Sequence, residues 1–311
     1  MNYVLGGGLA GLIWAYYHKD WTILAGHELA SASEIPIPRY IYWTEKTCQL
    51  HRELFKKEPE METINVGIRS KAQWWSRATN DMKKNYHEKT RGKRPIHVSQ
   101  HVMSSGETHF DIIDTPYNLW ENALIGELDE RIIKEDVVTI DIEHNEIHTD
   151  NSKRSTIAYD KMVNTLPLPL FFTLTNDNDI VNAFSYSSVV LTLIKCQASI
   201  IWENDYDYIL FPDLRVPFFR MTKGEKPYLG IESKESLSKD SGKFWLEGMI
   251  VEKIEEKIMK YGKIISGPSE FQNLPSNIKL FGRFGTWDPR IKIHHLIEEV
   301  QSNVPESIQG V

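Results

Sequence analysis

Cysteine is nearly absent: Cys48 and Cys196 are the two in 311 residues, far apart and without metal-ligand spacing. That leaves no disulfide framework to read and fits free thiols in a reducing, cytoplasmic setting. Long apolar runs are missing too. "SVVLTLI" and "LPLPLFFTL" are too short or too proline-broken for the roughly 20 residues that cross a bilayer. No basic n-region precedes the first apolar segment, which reads as a β-strand and not a signal peptide, so no membrane association is expected. Neither a Gly-x-Ser-x-Gly elbow nor a Walker A sequence occurs, so hydrolase and nucleotide-triphosphatase readings have no support. His87, His97, His101 and His109 lack a cysteine or carboxylate framework, and the adjacent His294 and His295 point in different directions on a helix; no metal site is expected. Basic excess is absent as well. A net charge of -7 argues against a general nucleic-acid binder. No internal repeat or low-complexity tract is present. With 41% hydrophobic and 25% charged residues, what remains is an ordinary globular composition, long enough to bury a substantial core.

The amino terminus is the most informative stretch. In "MNYVLGGGLAGLIWAYY" a short apolar strand at residues 3–5 meets Gly6-x-Gly8-x-x-Gly11, and residues 9–17 follow with helical spacing. Strand, glycine turn and helix in that order match a dinucleotide-binding fingerprint. Gly6 would make the tight turn, Gly8 would admit a pyrophosphate to the backbone, and Gly11 would let helix and strand pack closely. The unpaired N–H groups around Leu9 and Ala10, at the positive end of the helix, would face the phosphates. The second strand, "WTILAG", should end in a carboxylate for a ribose hydroxyl, yet it ends in Ala25-Gly26. Glu28 is the first acid after it and the candidate for that contact.

Further along, residues 35–115 read as helical, aromatic and basic. "LWENALIGEL" is a helix, and "DVVTIDIEHNEIHT" is an alternating hairpin turning near His144-Asn145. Strands are expected at "STIAYDKMVNTLPLP", "SSVVLTLIKC", "DYILFPD" and "PFFRMT". An amphipathic helix is expected over residues 244–262, with Val251, Ile254 and Ile258 on one face. "NIKLFGRFGTWDPRIKIHHLIEEVQ" closes the chain as strand, glycine turn and helix. The expected fold class is α/β. A Rossmann-like dinucleotide-binding domain is assembled from residues 1–34, 116–170 and 276–311, with an inserted α+β substrate domain at 35–115 and 171–275.

This discontinuous arrangement resembles the flavoprotein superfamily of amine oxidases, protoporphyrinogen oxidase and UDP-galactopyranose mutase. "LFGRFGTWDPRIKIHHLIEEV" is similar to the last strand and helix of those proteins. The resemblance implies FAD as cofactor, with Gly282 and Arg283 near its pyrophosphate or ribityl chain. Trp287 and Ile293 would lie along the flavin end, where the backbone at Lys292-Ile293 caps it. Val137 or Val138 would offer backbone bonds to adenine. "ILFPDLRVPFFRMT" is similar to the mutase strand over the flavin face, which would place Phe219 and the substrate-gripping Arg220 in the pocket. "PIPRYIYWT" departs from the mutase pattern: Tyr40, preceded by Arg39, stands where the family has a histidine. The double glycine that often follows the second strand is also replaced, by "LASAS".

The resemblance implies an FAD-dependent oxidoreductase that takes a hydride from a small or nucleotide-linked substrate. Tyr40, Phe219 and Arg220 are its candidate catalytic residues, and no general base is named. A non-redox mutase acting on a nucleotide sugar is the alternative. A binding protein that has lost its cofactor and an NAD-dependent dehydrogenase also stay open. Residues 83–94, with Lys83, Lys84, Lys89, Arg91, Lys93 and Arg94 against Glu88, can attract a polyanion; Trp74-Trp75 can stack a base or sugar. A solvated basic face and a packed aromatic pair are the plainer readings, and nucleic acid is not favoured.

Overall fold

The computed structural model describes residues 1–26, 39–71, 73–91, 108–150, 156–196, 199–237, 251–268 and 274–303. Strands are numbered along the chain. A five-stranded parallel sheet has the order β16 (Ile278–Leu280), β10 (Lys161–Asn164), β1 (Asn2–Leu5), β2 (Trp21–Ala25), β6 (Ile132–Lys134). Its members come from four distant parts of the sequence, and β1 is central. The run "YVL" is apolar without alternation because both faces of the sheet are covered. Val4 joins a core with Ile23 and Val163, whereas Tyr3 and Leu5 join another with Leu24 and Met162.

Helices cover the first face: α1 (Leu9–Tyr17), α2 (Glu45–Phe55), α4 (Tyr117–Leu128) and α6 (Ile293–Asn303). Thr44 starts α2 with a reciprocal capping pair to Thr47, and Cys48 and Leu50 bury into the same core as Leu12 and Ile13 of α1. The other face carries the antiparallel meander β7 (Val137–Asp141), β8 (Glu146–Thr149), β9 (Thr156–Ala158) and the short α5 (Leu168–Leu174).

A second sheet has eight strands. Its order is β15 (Val251–Ser266), β11 (Ser185–Cys196), β14 (Tyr228–Ser233), β13 (Phe218–Lys223), β12 (Tyr208–Leu210), β3 (Met61–Ser70), β4 (Gln73–Trp75), with β5 (His109–Ile113) also paired to β3. Helix α3 (Asn80–Arg91) lies on one face, where Met82 and Tyr86 pack with Val66, Leu191 and Phe219. No helix of the described residues is long and apolar enough to cross a membrane.

Two sequence expectations are overturned. The helix expected over 244–262 is a strand wherever it is described: β15 runs antiparallel to β11, from Cys196↔Val251 to Ser185↔Ser266. Spacing of four is common to a helix stripe and to one face of a strand, so Ile254 and Ile258 fit both periods. Both are exposed on this edge strand, among lysines and glutamates that discourage further strand pairing. The segment 35–115, read as helical, does carry α2 and α3, but between and after them β3 and β5 pair as strands, and the buried Ile64, Val66 and Ile68 of β3 alternate at strand period.

Lys89 also departs from its expected place. It is buried, and its ammonium donates to the Phe211 and Asp213 carbonyls at 2.9 and 2.8 Å, so it is not part of an exposed basic face. Lys93 and Arg94 lie outside the described residues. Burial lowers the Lys89 pKa from 10.5 to about 7, against a smaller raising effect of Asp213. A neutral amine still has two N–H groups for two carbonyls. The folded state therefore binds fewer protons than the unfolded chain between about pH 7 and 10.5, and stability from this group rises with pH across that window. Lys89→Met removes the effect. In thermal unfolding from about pH 7 to 10, the wild type should gain on the variant by on the order of a few kcal/mol; parallel curves would refute the assignment.

Candidate functional site

The glycine turn sits at the carboxyl ends of the parallel strands. Gly6 N–H donates to the Leu24 carbonyl at 3.0 Å, tying the end of β1 to β2. Gly6 has φ +107°, and a β-carbon there would lie 2.6 Å from Thr165 Oγ1. One on Gly11 would lie 2.1 Å from the Gly6 carbonyl oxygen, so turn and helix can meet only with glycine at position 11. Gly8 differs. Its backbone is extended, it caps α1 without a side-chain bond, and a β-carbon there would meet nothing within 4 Å. Among the described residues α1 thus begins with no side-chain cap and no acidic residue in its first turn, beside a bare Gly8 backbone, an arrangement that could hold a phosphate group.

The carboxy-terminal turn comes to the same place. Thr165, just after β10, gives its N–H and its hydroxyl to the Leu5 carbonyl at 3.0 and 2.7 Å. The single helical turn Gly282–Gly285 follows β16, with Gly282 at φ +81° and its missing β-carbon 2.7 Å from Ala10 Cβ. Phe281 packs edge-on to Trp14 of α1 at 4.9 Å. Residues 6–11, 164–166 and 281–285 form one junction.

A second wall is aromatic and cationic. Arg220 on β13 pairs with Glu232 on β14 and donates to the Tyr208 hydroxyl; Lys263 lies 3.5 Å from the other Glu232 oxygen. Tyr208 lies 6.4 Å from Tyr40 and 6.0 Å from Phe110, ring to ring. Phe110 in turn contacts Tyr42 at 5.2 Å, and the Lys292 ammonium lies 5.2 Å above the Tyr42 ring. Burial lowers the Lys292 pKa, and the charges of Arg283 and Arg220 lower it further. Burial likewise lowers that of Arg39, whose guanidinium stands 6.0 Å from the Tyr117 ring and feels Arg220 as well. Arg39, Arg220, Arg283 and Lys292 therefore share one electrostatic neighbourhood. A surface of this kind favours an anion. Burial raises the Tyr40 pKa, which keeps its hydroxyl a protonated group able to donate.

The expected site residues fall into three groups. Gly6, Gly8, Leu9, Ala10, Gly11, Gly282 and Arg283 lie at the junction of turns. Tyr40 and Arg220 are brought together through Tyr208, a residue with no local signal in the sequence, and Arg39 joins their neighbourhood. The others go elsewhere. Phe219 shares its sheet face with Arg220 because of a bulge, but it is 1% exposed beneath Tyr86. Trp287 is buried among Phe184, Tyr186 and Tyr261, with its indole N–H on the Ser266 carbonyl at 2.9 Å. It anchors the end of β15. Ile293 opens α6, where the Lys292 N–H is already taken by His295 Nδ1 at 3.1 Å. Val138 is exposed at an irregularity of the β7–β8 ladder. Glu28 lies outside the described residues. Trp74 stacks with Tyr206 and Arg69. No group of three metal-ligating side chains occurs among the described residues.

No family model and no curated protein matches the chain. Solved structures do. Reduced UDP-galactopyranose mutase superposes with a TM-score of 0.72 at 12% identity, over 97% of this chain and 93% of that one. An oxidoreductase from Methanosarcina mazei gives 0.62 at 10% identity over 97% and 99%. A putrescine oxidase redesigned in its cofactor binding gives 0.61 at 9% over 97% and 97%. The chain shares the Rossmann-like fold of these solved structures. In that fold Gly8 and Gly11 carry different burdens, which two variants separate. Gly11→Ala should lose roughly 3 kcal/mol or fail to fold, because a methyl group meets backbone. Gly8→Asp should keep or slightly raise the Tm, since aspartate is a good helix cap, while ADP affinity in calorimetry falls at least about tenfold. Equal effects of the two changes on stability would contradict this division.

Proposed function

We propose that this protein is an FAD-dependent enzyme acting on a small or nucleotide-linked anionic substrate, with oxidation by hydride transfer to the flavin as its reaction. The observation that carries the reading is the open face of Gly8 beside the Gly282 turn, at the carboxyl ends of the parallel strands. A dinucleotide pyrophosphate would fit there: Gly8 leaves the backbone bare, α1 has no side-chain cap among the described residues, and positive charge stands near. Bound FAD would supply the redox chemistry, that of a hydride acceptor reoxidised by O₂ or another acceptor.

The chain's own residues bind and orient. Glu232 and Tyr208 fix the Arg220 guanidinium in one pose, so a ligand meets a cation that is already placed. Its Nε is buried and makes no hydrogen bond among the described residues. Lys292 and Arg39 add positive charge in a half-buried setting, where it acts more strongly than in water. Tyr40 supplies a hydroxyl donor and one side of the aromatic wall. Together these residues would hold an anionic group of the substrate and exclude water from the reacting face.

The second reading, a non-redox mutase on a nucleotide sugar, is favoured by the cationic wall and by the superposition on reduced UDP-galactopyranose mutase along nearly the whole of both chains. It calls for the reduced cofactor. The purified protein should show the flavin bands of the visible spectrum, and mass spectrometry should identify released FAD. Anaerobic bleaching by substrate supports oxidation; turnover of a nucleotide sugar only after dithionite supports the mutase. A chain that neither carries nor takes up FAD contradicts both.

A further inference from the structure

We propose that Asp136 supplies the ribose-binding carboxylate that the end of β2 lacks, reaching the site from the β6–β7 junction; this rests on the flavoenzyme reading above. In a Rossmann-like sheet the second strand ordinarily ends in an acid that accepts from the adenosine ribose. Here β2 ends at Ala25, followed by Gly26, and neither has a polar side chain.

The neighbouring strand fills the gap. β2 and β6 run parallel with Ala25 opposite Lys134, and the Glu135 N–H donates to the Ala25 carbonyl at 2.8 Å. On the far side the Asp136 carbonyl accepts from the Asp150 N–H at 3.1 Å. The backbone at 135–136 is thus fixed against the end of β2. A β-carbon added to Gly26 would lie 2.1 Å from Asp136 Oδ1. The Asp136 carboxylate occupies the space that a side chain on residue 26 would take as the chain leaves β2. Glycine at 26 is what admits it.

Glu135, next along, does something different. It is buried and accepts from the Thr149 hydroxyl at 2.8 Å, joining β6 to the meander. Asp136 is exposed at the carboxyl end of the sheet, on the same edge as the glycine turn, which is tied to β2 through Gly6 N–H and the Leu24 carbonyl. An ionised carboxylate only accepts hydrogen bonds, and a ribose 2′,3′-diol offers it two O–H donors. The same charge repels a 2′-phosphate. The site would therefore take an adenosine diphosphate with free ribose hydroxyls and reject its 2′-phosphorylated form.

Calorimetric titration of the full chain, freed of bound nucleotide, with ADP, 2′,3′-dideoxy-ADP and 2′-phospho-ADP tests the assignment without any turnover. The wild type should prefer ADP to the dideoxy compound by roughly tenfold to a hundredfold, and bind 2′-phospho-ADP worse still. Asp136→Asn should weaken ADP by about that factor, leave the dideoxy compound unchanged and relax the rejection of the 2′-phosphate. Gly26→Ala, which displaces the carboxylate, should do the same to ADP with the carboxylate still in the chain. If Asp136→Asn keeps the wild-type preference, the assignment falls and the flavoenzyme reading stands. If the wild type binds neither ADP nor FAD, both fall.

Discussion

The Leu5 carbonyl at the end of the central strand receives both the N–H and the hydroxyl of Thr165, and the rest of the architecture depends on that junction. It fixes residues 160 apart in sequence at the mouth of the parallel sheet. Gly6 can then turn beneath Thr165, Gly11 can press on the Gly6 carbonyl, and Gly285 can approach the Asn164 carbonyl. Each is a close approach that a methyl group would block, so the geometry is over-determined by close packing. The exception is Gly8, open in the middle of the crowding. A glycine that packing does not require, at an uncapped helix start, is best explained by something that must come close to the backbone.

The second sheet gathers positive charge, and Lys292 feels both its Arg220 and the carboxy-terminal Arg283. Arg220, Glu232 and Tyr208 form a bonded group on the adjacent strands β12, β13 and β14, Lys263 of β15 pairs with the same glutamate, and Tyr40, Tyr42 and Phe110 link the group to the carboxy-terminal Lys292. Isolating Arg220 in such a setting would be costly. Pairing it with a nearly buried glutamate holds the guanidinium in place, and removing either partner would leave an uncompensated charge. Burial depresses the Lys292 and Arg39 pKa values, the neighbouring arginines depress them further, and a bound anion would raise both.

Much of the first sheet was legible because local pattern decides it. An apolar triplet, three spaced glycines and a helical run specify β1, the turn and α1, with helix bounds of Leu9–Tyr17. β15 was not legible, since the spacing of Ile254 and Ile258 satisfies both periods and only pairing with β11 chooses the strand. The cationic wall was half legible. Arg220 and Tyr40 stood out, but Tyr208, Phe110 and Lys292 come from separate segments that only the fold brings together. Trp287 looked like a ligand contact from its place after the glycine turn, yet its left-handed backbone (φ 56°) lets the ring turn into the core. The acid missing from β2 was visible in the sequence; the acid proposed to replace it, just past β6, was not, because strand pairing across a hundred residues leaves no local trace.

The central claim is that the two glycine turns, near opposite ends of the chain, grip one dinucleotide between them. Backbone hydrogen exchange with and without FAD tests it directly. Added FAD should slow exchange in residues 6–12 and 281–286 together, at the same ligand concentration. Protection confined to one of those segments, or to neither while FAD is bound, would contradict the account.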